Sequence, residues 1–323
     1  MIAQAVVISF LVSLSCLLAL LSCFGRGFAL DLPNERSLHE RPVPRTGGIA
    51  VLAGGAASLF LGSGSLWLPM TLAFALAALS LLDDLSGMPA WLRLGAHFAA
   101  AGALVWYVLS PMHPAELAIL AVSVVWITNL YNFMDGADGI AGGMAVVGFG
   151  AYAIAAELAG DPGLAIACSA LCAAALAFLI LNFHPACIFL GDVGSIPLGF
   201  LAGALGLLGW RDDAWPLWFP LLVFGPFVGD ATITLLKRLA RRERIWIAHR
   251  EHYYQRMVRM GLGHRGAAGV VVAAALVCAA AALYGREQPA AIQAAVFAGG
   301  TVFLAAIALW VDLAWLRFQR GAT

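Results

Sequence analysis

The sequence predicts an all-α polytopic membrane protein with about eleven transmembrane helices, and three observations carry that expectation. Its 323 residues are 62% hydrophobic and only 11% charged, with a mean hydropathy of +0.90. A soluble domain of this size carries about a quarter charged residues. Apolar runs long enough to cross ~30 Å of hydrocarbon recur along the whole chain. The basic residues are also segregated. With the N-terminus outside, all of the 18 Lys and Arg except Arg211 and Arg286 fall on the inner side. This asymmetry is what the positive-inside rule requires, and an even number of spans would break it. The C-terminus is then cytoplasmic.

The spans are expected near 2–24, 47–63, 66–82, 93–110, 115–133, 139–158, 162–182, 188–209, 214–236, 267–285 and 290–316. The first lacks a basic n-region and a small-x-small site, and its apolar run is too long for a signal peptide, so it reads as a retained helix. The loop that follows contains Pro33, Pro42 and Pro44 and is expected to be irregular. Gly47-Gly48 gives a flexible entry into the second span. The whole chain, 1–323, reads as a single integral-membrane domain with cytoplasmic loops near 25–46, 83–92, 133–139, 182–192 and 237–266. Cys16, Cys23, Cys168, Cys172, Cys187 and Cys278 lie in or beside apolar runs without metal-ligand spacing and read as small hydrophobes.

Within this apolar frame the carboxylates carry information. The fifth span closes on Asn129, Asn132, Asp135 and Asp138, spaced three apart, with two Asp-Gly steps that let the backbone turn. Ionised groups beside a bilayer-length helix are expensive and point to function. A polar helix end reaching the headgroups is the bland alternative. The third span ends in Asp83-Asp84, adjacent acids whose repulsion a cation or a shared proton would relieve. Asp192, between Gly191 and Gly194, is a carboxylate on accessible backbone at the start of the eighth span, suited to a metal or a phosphate. Asp230, near the inner end of the ninth span, reads as a supporting acid. All six acids fall at one depth on the inner side, while the outside carboxylates show no pattern. That placement argues for a single site at the inner membrane interface.

Cationic groups accompany it. Arg45-Thr46-Gly47-Gly48 can meet a phosphate through side chain and backbone, whereas Arg26 reads as a topological anchor. The loop from Lys237 to Gly266 holds nine Lys/Arg against Glu243 and Glu251. Much of that charge reads as attraction to anionic lipid. His249-Arg250-Glu251-His252 brings several donors together and suits a diphosphate whose charge grows during transfer. Zinc at the paired histidines lacks a nearby third ligand. Hard oxygen ligands with Arg and His donors suit Mg²⁺ and a phosphorylated substrate. No Walker sequence is present, so phosphoryl transfer to a lipid, with a soluble substrate docking on loops, is the expected reaction class. A secondary transporter would carry its polar groups near the bilayer midplane, often in related halves. An intramembrane aspartyl protease would share Leu190-Gly191-Asp192 but needs a Tyr-Asp partner and a Pro-Ala-Leu signature, both absent.

Six motifs then occur in order: Pro33–His39, Arg41–Gly48, Asp83-Asp84, Asn129-x-x-Asn-x-x-Asp-Gly-x-Asp-Gly139, Phe189–Ser195 and His249-Arg-x-His252. Together they resemble the polyprenyl-phosphate N-acetylhexosamine-1-phosphate transferases, over nearly the whole chain. The wording is most similar to the O-antigen-initiating branch; the triple histidine of the muramoyl-pentapeptide translocases is absent. The resemblance implies that undecaprenyl phosphate and a UDP-N-acetylhexosamine give undecaprenyl-diphospho-sugar and UMP, with Mg²⁺ (Mn²⁺ as a substitute), at the cytoplasmic face of a bacterial inner membrane. It implies Asp192 and Asn132 as metal ligands, and Asp83 and Asp84 as groups that activate or orient the lipid phosphate. Asp135 and Asp138 would shape the nucleotide–metal pocket. His249, Arg250 and His252, with Asn129, would bind the soluble substrate, and Arg45 the lipid phosphate. The expected partners are these two substrates, the bilayer and a second copy in a homodimer; no nucleic acid is expected.

Overall fold

The computed structural model describes residues 1–24, 30–31, 42–61, 66–244, 247 and 249–321. The motif Pro33–His39 and the basic residues Arg26, Arg36 and Arg41 lie outside the described residues. The chain is almost wholly helical: α1 (Ile2–Phe24), α2 (Gly47–Ala56), α3 (Trp67–Ser86), α4 (Ala90–Leu109), α5 (Pro114–Phe133), α6 (Ile140–Leu158), α7 (Pro162–Asn182), α8 (Asp192–Arg211), α9 (Trp218–Val223), α10 (Gly225–Ala240), α11 (Tyr253–Met257), α12 (Gly263–Gly285) and α13 (Ala290–Gly321).

Among the described residues, nine helical stretches are long and apolar enough to cross a membrane, and they match every expected span except the second and the ninth. Those two are interrupted. The second runs as α2 to Ala56 and then tightens into a 3₁₀ turn over Ala57–Leu61. The ninth breaks at Phe224 (φ −90°, ψ 16°) between α9 and α10. Pro226 has no N–H to offer the preceding turn, so a continuous ladder cannot form there. The tenth begins well before the expected residue 267. It opens with α11, passes through a π turn over Val258–Leu262 with Gly261 at φ 100°, and continues as α12. The loop expected to be irregular also contains a short antiparallel ladder, pairing Leu30 with Pro44 and Asp31 with Val43.

Short connections make successive helices run in opposite directions. The last turns of α3, α5 and α7 therefore meet the first turns of α4, α6 and α8 at one end of the bundle. Helix α8 is central, packed on α3 and α5, whereas α13 is peripheral. Of their apolar stretches, 89% of α8 is buried inside the protein against 11% of α13. Lipid is as apolar as leucine, so close packing and internal hydrogen bonds must hold such helices together. Beneath the polar end, Tyr131, Phe149, Tyr152, Phe224 and Phe227 are fully buried. Their rings meet edge-on or tilted at 5.0–6.4 Å. Tyr131 and Tyr152 donate their hydroxyls to the carbonyls of Ala141 and Ala202 at 2.7 and 3.1 Å. At the opposite end Arg286 is buried, giving Nη1 to the carbonyls of Ala155 and Ala214 at 3.1 and 3.2 Å. That end is tied by backbone acceptors; the other is built of carboxylates.

Candidate active site

The loop entering α2 lies against the loop entering α8. Gly47 and Gly48 donate their N–H groups to the carbonyls of Phe189 and Leu190, each at 2.9 Å, and Phe189 donates back to Pro44 at 2.7 Å. Two glycines make the approach feasible. A Cβ on Gly48 would lie 2.2 Å from Gly194 Cα. Gly191 adopts φ +70°, and a Cβ there would lie 2.2 Å from the Arg45 carbonyl oxygen. This contact carries Arg45 to the end of α3, where its Nη2 lies 3.1 Å from Asp84 Oδ1. Among the described residues Arg45 Nε is buried without a hydrogen-bond partner.

Asn132, from the last turn of α5, donates Nδ2 to Asp192 Oδ1 and to Ser195 Oγ, both at 2.9 Å. Its amide oxygen is thereby left to face another group. Asp135 is next. The residue keeps partial exposure, but its carboxyl is surrounded by protein, with a hydrogen bond from the Gly191 backbone. Burial first, and then the charges of Asp192 and Asp31, push that carboxyl well above the usual range. Asp192 and Asp83 also act on Asp84. Like charges gathered in this way, with amide and hydroxyl oxygens beside them, are a donor set that fits a hard divalent cation. Asp31 belongs to this group and was not singled out from the sequence; the β ladder brings it there.

Asp83 is held differently. Its Oδ1 accepts the Met88 N–H at 2.6 Å and its Oδ2 meets Arg93 Nη1 at 2.7 Å. Asn129 donates to the Val125 carbonyl at 2.7 Å and shares a hydrogen bond with His97, which is buried on α4. No pattern in the sequence marked His97: it is a lone histidine in an apolar helix.

Asp138 turns to other partners. Its Oδ2 lies 2.6 Å from His184 Nδ1 and accepts the Ala186 N–H at 3.1 Å. Its Oδ1 lies 3.3 Å from His264 Nδ1, which also accepts the Asp138 N–H at 3.1 Å. The two imidazoles stack at 5.1 Å. Burial alone would raise the Asp138 carboxyl, but His264, His184 and the Ala186 N–H outweigh it and hold the group below the usual range. These three residues set potential ligand atoms within 4.8 Å of one another. His184 and the Ala186 N–H already occupy Oδ2, and the Asp138 N–H already occupies His264 Nδ1.

The basic loop folds back on itself. Arg238 Nη1 pairs with Glu251 at 2.5 Å and Glu243 at 3.0 Å, and Arg241 also meets both acids. Lys237 Nζ and Arg256 Nη1 reach Asp312 of α13 at 2.5 and 3.0 Å, an acid that no pattern in the sequence singles out. Much of the charge expected to face lipid is thus neutralised internally. His252 is buried, with its ring 4.9 Å from that of His249 and stacked 6.4 Å from Phe133, the neighbour of Asn132. His249 is pushed down to about 4, by burial first and then by His252 and Arg238. Arg250 is half-buried, and its carbonyl accepts from Arg259 at 3.4 Å.

The site therefore gathers Arg45, Asp84, Asn132, Asp135 and Asp192 in one polar cluster. Asp83 and Asn129 are fixed at its margin, His252 packs on Phe133, and Asp138 sits in a histidine clamp. Comparison with known proteins fits this arrangement. Residues 66–210 match the model of glycosyl transferase family 4. A Bacillus subtilis protein described as a probable undecaprenyl-phosphate N-acetylglucosaminyl 1-phosphate transferase is 31% identical over 284 residues, covering 80% of this chain and 79% of that protein. The undecaprenyl-phosphate alpha-N-acetylglucosaminyl 1-phosphate transferase of Yersinia pestis is 27% identical, covering 80% of this chain and 77% of its own. The phospho-N-acetylmuramoyl-pentapeptide-transferase of Geobacillus thermodenitrificans is 41% identical over only 90 residues, 28% of each chain. Spread over four-fifths of the sequence, this likeness agrees with the ordered motifs: the chain belongs to the polyprenyl-phosphate N-acetylhexosamine-1-phosphate transferase superfamily, within glycosyl transferase family 4.

Proposed function

We propose that the protein transfers N-acetylhexosamine 1-phosphate from a UDP-sugar to undecaprenyl phosphate, at the cytoplasmic face of a bacterial inner membrane, as the first membrane step of a cell-surface polysaccharide of the O-antigen kind. The observation that carries this reading is the junction of Arg45–Asp84 with Asn132–Asp192–Ser195 at one end of the bundle. A lipid phosphate arriving through the bilayer and a nucleotide arriving from solution could meet there. The orientation follows from the distribution of basic residues.

In the reaction an oxygen of the lipid phosphate attacks the sugar-bearing phosphorus. A new P–O bond forms, the bridge to the other phosphorus breaks, and UMP departs with the bridging oxygen. Mg²⁺, when bound, neutralises diphosphate charge and makes that phosphorus more electrophilic, with Mn²⁺ able to substitute. Asp192 and the amide oxygen of Asn132 would hold it, with Asp135 beside them. Arg45 orients the lipid phosphate against Asp84, and its unpaired Nε is a further donor for a phosphate oxygen. Asp83, fixed by Met88 and Arg93, keeps the pair of acids in register to orient or deprotonate the nucleophile. His252 and Arg250, with His249, face the diphosphate, and Asn129 braces α5 against His97 of α4.

The test uses purified protein in detergent with undecaprenyl phosphate, Mg²⁺ and radiolabelled UDP-sugars, including UDP-GlcNAc and 6-deoxy relatives. Label entering the lipid in step with UMP release is expected for one of them. The reading is wrong if no sugar reaches the lipid while Asp192→Asn alters transport or peptide cleavage.

A further inference from the structure

The Asp230 carboxylate is the buried hub of the junction between α10 and α11, with only 8% of its side chain exposed. Oδ1 accepts the Tyr253 N–H at 2.9 Å, lies 3.1 Å from His252 Nδ1 and accepts the Thr234 hydroxyl at 3.3 Å; Oδ2 accepts the Tyr254 N–H at 3.0 Å. Two peptide donors and one hydroxyl are a set that an ionised carboxylate satisfies. Such a carboxylate can only accept, so the hydrogen of the facing imidazole belongs on Nδ1.

The ring is fixed in plane as well. It stacks on Tyr254 at 5.9 Å, nearly parallel at 16°, and on Phe133 at 6.4 Å and 27°. Tyr254 in turn donates its hydroxyl to the Phe133 carbonyl at 3.2 Å. Phe133 closes the same last turn of α5 that carries Asn132, so His252 is docked on the turn that bears that residue.

We infer that Asp230 is a positioning residue for transfer: it accepts the Nδ1–H of His252 and fixes the ring, so that the Nε2–H of the imidazolium is the donor aimed at the diphosphate. The inference rests on the reading that His252 binds that group. It goes further by assigning which nitrogen does so and which acid enforces it. Replacing the acid that orients a metal-bound imidazole from behind typically costs about 10- to 100-fold in activity, and the same order is expected for an imidazole that holds a diphosphate.

A double-mutant cycle tests this with the full chain in detergent, measuring transfer and the thermal midpoint of Asp230→Asn, His252→Gln and the double variant. Asp230→Asn should lower kcat by about 10- to 100-fold, since a neutral amide no longer supplies the charge that supports an imidazolium donating from Nε2. In the His252→Gln background the same change should cost nothing further, because residues that act as a unit are not additive. Asp230→Glu should recover part of the activity; where the Asn variant does not fold, the cycle is run on the Glu variant instead. Independent, multiplying losses in the double variant overturn the inference and leave His252 as a ligand held by something else. Wild-type activity in His252→Gln alone removes His252 from the proposed site, and the inference falls with it.

Discussion

Asp135 and Asp138 leave the same turn three residues apart and end in opposite environments. Asp135 points into the cluster around Asp192, where burial and like charge leave its carboxyl far above the usual range. Asp138 points the other way, where His264, His184 and the Ala186 N–H hold it below that range in spite of burial. Among the described residues one acid meets burial and like charge, which a bound cation or substrate would relieve. The other is already satisfied by the protein and ties the α5–α6 turn to the α7–α8 loop and to the start of α12. Spacing on a turn therefore cannot tell a chemical carboxylate from a structural one; the partners can.

The sharpest way to break this contrast is to neutralise each acid in turn. Asp135→Asn and Asp192→Asn are expected to lower transfer by about 100- to 1,000-fold, the order seen when a preorganised charge is removed from an active site. The thermal midpoint of the free protein should hold or rise, because a like-charge contact has been relieved. Mg²⁺ should raise the midpoint of the native protein and fail to raise that of Asp192→Asn. Asp138→Asn should show the reverse balance, a loss of about 1–3 kcal/mol of stability from a buried hydrogen-bonded group deprived of its charge. Equal melting curves for Asp135→Asn and Asp138→Asn would erase the distinction.

Acid titration sharpens it further. The folded value of Asp138 is depressed, so its contribution is fully present above the ordinary carboxylate value of about 3.9 and is lost as pH falls through the lower folded value. The folded value of Asp135 is raised, so its contribution is present below about 3.9 and is lost as pH climbs through the higher folded value. Relative to the native protein, Asp135→Asn should gain in midpoint as pH rises above that point. Asp138→Asn should show a deficit that is constant there and shrinks only in stronger acid. Thermal melts across that range decide the matter; parallel curves would show that neither acid is coupled to folding.

These differences also mark where the sequence stops informing. The apolar runs locate every continuous helix, because a bilayer-length segment declares itself within its own window. The breaks at Ala57 and Phe224 were not visible in those runs, since hydropathy is blind to the hydrogen bond that Pro226 omits. Asp83, Asp84, Asn132, Asp135 and Asp192 were legible because charge beside lipid is costly wherever it occurs. The partners of Asp138 and Asp230 were not. His264 is 126 positions from Asp138 and His252 is 22 positions from Asp230, with no periodic relation to announce either pair. His97 and Asp312 were hidden in the same way: each is a polar residue between apolar neighbours in its helix, given meaning only by Asn129 or by Lys237 and Arg256 across the bundle.

The smallest expected effect comes from the second pair of neighbours, His249 and His252, which repeats the contrast in basic groups. His249 is held down to about 4 by burial, and then by the adjacent His252 and Arg238, so it is neutral near pH 7. A neutral imidazole offers a diphosphate a dipole but no charge, and charge-assisted hydrogen bonds are about twice as strong. His249→Asn should therefore lower transfer by less than about tenfold, well short of His252→Gln. Its folded value lies below the unfolded value of about 6.5, so its share of stability is present above that pH and declines as the solution is acidified toward 4. Melting the native protein between pH 7.5 and 5 should show a fall in midpoint that is reduced in His249→Asn, against the ordinary His pKa of about 6.5. If the two proteins fall together and the variant loses as much transfer as His252→Gln, His249 carries charge at the site and the two histidines act as one.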